Sequence, residues 1–250
     1  NSNHYNQFMN FKNLGLLILL ALSLALHSKE GRLGKEPNEY SYANLGIAFS
    51  NSEGDNLGLY ASVPFPGPLY ATVSRTAYDT NIRNLDNEEA SFEKSVTDLR
   101  LGVHVGIGDL LNSVSVGSVS LNFDNFVDIY IEGGMRSFSF DTKFDNDKSF
   151  GNVLAGLRYG DANHWEGKLY LDFSKEVLNG DAFVDYDCLE NPTSDICLNE
   201  DLVVQFSDDM DIKLGMDIIY NVNNFFGIVL NFKTSEYQNS ELGLSFQLQL

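Results

Sequence analysis

The sequence predicts an all-β protein: a closed antiparallel transmembrane β-barrel of about ten strands, with eight or twelve also compatible. Three observations predict it. From residue 40 onward, segments of about ten residues alternate apolar with polar or glycine side chains, each followed by a turn rich in Asn, Asp, Gly or Pro. The apolar stripe of each segment is about five side chains long, which suits a tilted strand crossing a bilayer in about 9–11 residues. The opposite stripes mix both charge signs with glycine, a composition that fits a narrow barrel interior better than the solvated face of a sandwich. Mean hydropathy of −0.16 excludes a bundle of membrane helices.

The first element is a targeting segment. Met9-Asn-Phe-Lys12 reads as a short basic region after an initiator, and Leu14 to Leu26 is an almost unbroken apolar run of about 13 residues, short of a membrane span. Ser23 and Ala25 occupy the −3 and −1 positions of a cleavage site, with Ser28 as the other exit. Residues 9–25 are therefore expected to be a signal peptide, and residues 38–250 the barrel domain.

Ten strands are expected at 40–49, 56–63, 69–79, 97–107, 126–140, 149–159, 165–175, 210–220, 225–234 and 240–250. The fourth places Leu99, Leu101, Val103, Val105 and Ile107 on one face and Asp98, Arg100, Gly102, His104 and Gly106 on the other. The eighth sets Met210, Ile212, Leu214, Met216, Ile218 and Tyr220 against Asp211, Lys213, Gly215 and Asp217. Hydrocarbon cannot satisfy the free N–H and C=O groups of an open sheet, so the strands must close on themselves.

The polar stripes then face one another. Asp98, Asp128, Glu132, Glu166, Asp172, Asp211, Asp217 and Glu241 stand against Arg100, Arg136, Arg158, Lys168, Lys213 and Lys233, with His104 among them. They are expected to form a lumen charge network that plugs the barrel, since ten strands enclose little more than side chains can fill. Tyr40, Tyr42, Tyr70, Phe126, Tyr159, Trp165, Tyr220 and Phe226 lie near strand ends, where aromatic rings suit the headgroup level.

Connection lengths orient the barrel. PFPGP, GDANH and NVNN are short and are assigned to the periplasm; residues 50–55, 80–96, 141–148, 176–209 and 235–239 are assigned outside. Loops 80–96 and 176–209 form the presentable surface. Residues 108–125 are long for a periplasmic turn, and VSVGSVSL, alternating like a tiny hairpin around Gly117-Ser118, reads as a strand extension or a hairpin lying beyond the bilayer. Cys188 and Cys197, close together in an acidic loop of an exported chain, are a disulfide candidate whose short closure contributes about 2–3 kcal/mol.

The strand–turn–strand units LAGLRYGDANHWEGKLYLDF and LGMDIIYNVNNFFGIVLNF, with the final LGLSFQLQL, resemble the small outer-membrane barrels of Gram-negative bacteria, broadly the OmpA/OmpX-like group. The resemblance covers nearly all of the chain after the signal segment. It implies outer-membrane lipid and lipopolysaccharide as surroundings, and the barrel-assembly machinery as a partner that recognises the alternating last strand, here Leu242, Leu244, Phe246, Leu248 and Leu250. The family usually closes that strand with Phe; this chain has Leu250 there.

Sixteen Lys and Arg against 35 Asp and Glu leave a formal charge of −19, which argues against a nucleic-acid partner. Barrel proteases and lipid A-modifying barrels are similar in size and use His with Asp, Ser or Glu near the outer rim or the lipid face. His104 and His164 both fall toward the inner end, so no catalytic residue is assigned and the protein is expected not to be an enzyme. No cofactor is expected, and no metal site, because no His/Cys cluster has ligand spacing. The acids of 181–209, with Asp141, Asp145 and Asp147, read as a solvated repulsive surface, with weak divalent-cation bridging to lipopolysaccharide as the alternative. An extracellular ligand is not specified by the sequence.

Overall fold

A computed structural model describes residues 40–51, 55–83, 89–107, 113–116, 119–122, 127–140, 147–176, 206–235 and 240–250. The signal segment 9–25 and the pair Cys188 and Cys197 lie outside these residues. In chain order the strands are β1 Asn44–Asn51, β2 Asp55–Pro64, β3 Leu69–Arg83, β4 Glu89–Gly106, β5 Ser113–Val116, β6 Val119–Asn122, β7 Val127–Phe140, β8 Lys148–Gly160, β9 Trp165–Ser174, β10 Asp211–Asn223, β11 Phe226–Thr234 and β12 Glu241–Gln249. Ten of them close a ring in the order β1, β2, β3, β4, β7, β8, β9, β10, β11, β12. Every neighbouring pair is antiparallel, including the closing pair from Asn44↔Gln249 to Asn51↔Leu242, so the barrel has no free edge.

The burial pattern is that of a protein turned inside out. Leu99 and Leu101 are 60% and 66% exposed on the outer face of β4, and each of the other barrel strands has exposed large apolar side chains on its outer face. The largest fully buried side chain is an arginine, Arg158, and Asp128, Asp172 and Glu166 are buried with it. Water would not tolerate such an apolar exterior, nor would an apolar core tolerate such an interior. A closed antiparallel barrel with an apolar outside and a polar inside is the architecture of outer-membrane-type barrels. The alternative of two stacked sheets with the Leu, Ile and Val rows between them is excluded.

The short connections share one end of the barrel. In the β2–β3 turn the Phe65 amide donates to the Leu69 carbonyl (2.7 Å) and Gly67 has φ +86°. In the β8–β9 turn Asp161 N donates to Trp165 O (2.8 Å), after Gly160 at φ +111°. The Asn223 side chain accepts from the Phe225 and Phe226 amides (2.8 and 2.9 Å) to close the β10–β11 turn. At the other end, the expected loop 80–96 is largely strand: β3 and β4 continue in register from Tyr78↔Lys94 to Arg83↔Glu89. The sequence of this stretch is mostly polar and lacks the apolar alternation that marks the other strands. β5 and β6 pair with each other alone, as expected for a hairpin separate from the barrel wall.

Candidate functional site

The lumen is the site to examine, and its framework is a set of tyrosines laid over glycines. Tyr60, Tyr70, Tyr130 and Tyr170 point inward directly opposite Gly46, Gly102, Gly156 and Gly215 on the neighbouring strands. A Cβ at any of these glycines would overlap the ring facing it. The glycines in the polar stripes are thus seats for rings, rather than only fillers between charges. Tyr70, held this way, donates to Glu132 Oε1 at 2.9 Å. Gly102→Ala is expected to displace Tyr70 and destabilise the barrel by about 1–3 kcal/mol, read as a lower urea midpoint for the heat-modifiable band on gels.

This corrects part of the expected aromatic girdle. Tyr40, Tyr42 and Tyr70 are buried in the lumen as one cluster: Tyr70 has the inward parity of β3, and Tyr40 and Tyr42 precede β1. Trp165 and Tyr220 do lie outside, exposed and in contact at 4.6 Å between ring centroids, and Tyr159 is exposed beside them. Phe226 stacks on Phe246 at 6.3 Å. Phe126 lies outside the described residues.

From mid-barrel to the long-loop end, charged and amide side chains from five adjacent strands converge around Arg136. Its Nε donates to Asp98 Oδ1 (2.8 Å), Nη2 to Asp172 Oδ2 (2.7 Å), and Nη1 to Glu176 Oε1 (2.6 Å) and Ser174 Oγ (2.5 Å). Arg100 reaches Asp172 at 3.2 Å, Asp98 at 3.3 Å and Glu132 at 3.6 Å. Asn152 Nδ2 donates to Asp98 Oδ1 (3.0 Å), and Lys213 Nζ lies 2.5 Å from Glu176 Oε1. A guanidinium with several carboxylates placed around its fork offsets the cost of removing all of them from bulk water.

Glu176 was not singled out from the sequence, since it lies past the last residue of the expected strand 165–175. The signal was nonetheless present: Glu166, Lys168, Tyr170, Asp172, Ser174 and Glu176 share one parity. The base of the long loop turns inward to bring it there. Ser207 N donates to Glu176 O (2.8 Å), Glu176 N to Ser207 Oγ (3.2 Å), and Lys175 Nζ to the Ser207 and Asp208 carbonyls. Phe206 then packs against Phe138 and Phe150 at 5.2 and 5.0 Å. Burial raises the Glu176 carboxyl, but Lys213 and Arg136 outweigh it and hold the group at about 2. Its pairing therefore contributes fully above the ordinary carboxylate range and is lost only as pH falls through about 2.

A second network closes the short-turn end. Arg158 Nε donates to Glu166 Oε2 (2.7 Å) and Nη1 to Ser41 O (2.8 Å), while its guanidinium lies 4.8 and 5.0 Å from the ring centroids of Tyr40 and Tyr42. Tyr42 stacks on His104 at 3.9 Å and donates to Asp128 Oδ2 (3.2 Å), which also lies 3.3 Å from His104 Nδ1. Asn221 Nδ2 donates to Glu166 Oε1 (2.6 Å) and Gln249 Nε2 to Asn221 Oδ1 (2.7 Å). Among the described residues no Ser or Thr hydroxyl is hydrogen-bonded to His104, so its ring has an orienting carboxylate and no nucleophile beside it. His164 is exposed and pairs with Asp161 in the turn (3.0 Å); the Asn163 amide and His164 hold that carboxyl below its usual range.

The remaining expected network members stand apart from these clusters. Asp217 accepts from Asn231 Nδ2 (3.0 Å) and, at 3.5 Å, from Tyr170; Lys168 lies opposite it in the β9–β10 register. Lys233 lies opposite Glu241 in the β11–β12 register. Asp211 is buried, and among the described residues neither of its carboxylate oxygens has a hydrogen-bond partner. Lys168, Asp217, Lys233 and Glu241 line a cavity of about 250 Å³. Ser62, Thr72, Ser74 and Ser245 line it too, so hydroxyls and charges face each other across it. Among the described residues no three His, Cys, Asp or Glu side chains gather as a metal-ligand set. Leu242, Leu244, Phe246, Leu248 and Leu250 all face outward and exposed along β12 and the residue after it.

A scan against protein-family models and a search of curated proteins found no match. Among solved structures the chain is similar to a KdgM porin in complex with disordered oligogalacturonate, at 7% identity over 83% of this chain and 99% of that one, with a TM-score of 0.42. It is also similar to the β-domain of the Bordetella autotransporter BrkA, at 10% identity over 82% and 75% of the two chains (TM-score 0.38). A third is outer membrane phospholipase A from Escherichia coli, at 10% identity over 91% and 96% (TM-score 0.32). Likeness at this level carries no inference about activity.

Proposed function

We propose that this chain is a non-enzymatic barrel of the outer membrane, with a structural or cell-surface interaction role exercised through its acidic outer loops. The observation that supports it most is the lumen: two ion-pair networks, one around Arg136 and one around Arg158, occupy the space a porin leaves to water. In this reading the short turns face the periplasm. The connection between β9 and β10 faces outward, and residues 177–205 of it carry seven acids and no Lys or Arg. Such a surface repels anions and interacts with cationic partners or divalent ions at lipopolysaccharide phosphates. The outward stripe of β12 is the segment offered to the barrel-assembly machinery, and the OmpA/OmpX-like grouping rests on the sequence features alone.

Two measurements test the reading. Cell fractionation is expected to place the protein in the outer-membrane fraction with a gel mobility that shifts on boiling. Reconstitution in planar bilayers is expected to yield no large, steady conductance, and a stable porin-sized current overturns it. A narrow channel is the second reading, and the 250 Å³ cavity is the observation that favours it.

A further inference from the structure

We infer that the long-loop end of the lumen is a binding site for a tetrahedral oxyanion of the phosphate class, held between Lys94 and Lys233. A cavity of about 70 Å³ lies there, next to the larger one and sharing Lys233 and Glu241 with it. Its lining holds four cations and four carboxylates, but they are not equally engaged. Asp98, Asp172 and Glu176 are already bound by Arg136, Arg100 and Lys213. What is left over is Lys94 and Lys233 against Glu241, an excess of one positive charge.

Among the described residues neither of the two ammonium groups makes an ion pair or a hydrogen bond. Lys94 is 4% exposed, and its Nζ lies over the face of the Tyr78 ring, 5.0 Å from the centroid. A buried ammonium without acceptors keeps its desolvation cost, which an entering anion offsets. β4 and β11 lie five steps apart in the ring of ten strands, so Lys94 and Lys233 project from opposite walls. Tyr78, in register with Lys94 on β3, adds a hydroxyl to that side. Donors on opposite sides suit an anion with oxygens in all directions, whereas a carboxylate presents both oxygens on one side. Glu241 is such a carboxylate: it lies opposite Lys233 in register and within the field of Lys213 and Lys94, so it competes with an incoming anion for the same charges. The space exceeds that of two liquid waters, at about 30 Å³ each, enough for one phosphate group. It lies inside the barrel wall, so the phosphate it takes belongs to a soluble compound and not to a surrounding lipid headgroup.

The test adds inorganic phosphate to the full chain folded in maltoside micelles, at constant ionic strength set with sodium chloride, and reads binding from broadening of the phosphorus NMR resonance. Lys94→Gln and Lys233→Gln are each expected to weaken binding about tenfold, the loss of one charge-assisted hydrogen bond. Glu241→Gln removes the competing carboxylate and is expected to tighten binding about threefold. Broadening that is absent in the unaltered protein, or equal in it and all three folded, heat-modifiable variants, overturns the inference. Lipopolysaccharide added to the micelles is expected to leave phosphate binding unchanged, and displacement by it overturns the assignment to a soluble phosphate. If a lysine variant does not fold, amine acylation of the unaltered protein decides: phosphate is expected to slow modification of Lys94 and Lys233 about fivefold relative to chloride, and equal rates overturn the site.

Discussion

Arg136→Ala is expected to destabilise the folded barrel by about 3–5 kcal/mol, measured as the shift in the urea midpoint of the heat-modifiable form in lipid vesicles. The size follows from what the substitution leaves behind. Asp98, Asp172 and Glu176 are each within 2.8 Å of the guanidinium, and alanine strands three carboxylates, Asp172 and Glu176 buried and Asp98 partly so, whose remaining cations are Arg100 and Lys213. Removing one partner of a buried network costs more than the network contributes, because the other charges keep their desolvation penalty. Arg136→Lys keeps the charge but cannot present Nε, Nη1 and Nη2 in three directions at once, so it is expected to recover only part of the loss. If Arg136→Ala unfolds at the same urea concentration as the unaltered protein, the lumen is filled with water that does this job, and the closed-lumen reading loses its support.

Leu101→Arg is expected to cost about 2–4 kcal/mol in lipid, although the side chain it replaces is two-thirds exposed. For a protein in water, arginine at such a position is neutral or improves solubility. Here Leu101 sits in the middle of the outward stripe Leu99 to Val105, where the surrounding solvent is hydrocarbon. The same substitution at Leu242, the exposed first apolar residue of the β12 stripe, is expected to cost far less, because the cost of a charge falls toward the membrane interface. Equal tolerance at the two positions in vesicles contradicts a bilayer around this barrel.

Much of the architecture was legible residue by residue. The ten barrel strands lie within a few residues of the expected segments except at the β3–β4 hairpin, because a lipid-facing stripe opposed to a lumen-facing stripe imposes strict period two on the chain. In residues 80–96 the sequence keeps no such apolar stripe, so the strand extensions there were not legible. The network was legible in membership: Asp98, Arg100, Glu132, Arg136 and Asp172 do meet. Its partners were not. The pairing of His104 with Asp128 is a diagonal choice among inward positions of the neighbouring strands β4 and β7, and Tyr40 and Tyr42 carried the same aromatic signal at a strand end as Trp165.

By itself the sequence determined that the chain alternates, that one side of the alternation is oily and the other charged, and hence that it closes into a barrel in a membrane. Those are local properties, written two residues at a time. Only the tertiary structure decided which charges pair, that glycines in the polar stripes seat tyrosine rings, and that the segment before β1 crosses the mouth to β8. The physical reason is that strand periodicity sets which side a residue faces but says nothing of what stands across the lumen; that depends on the register and the strand order around a closed ring, which join residues more than a hundred positions apart.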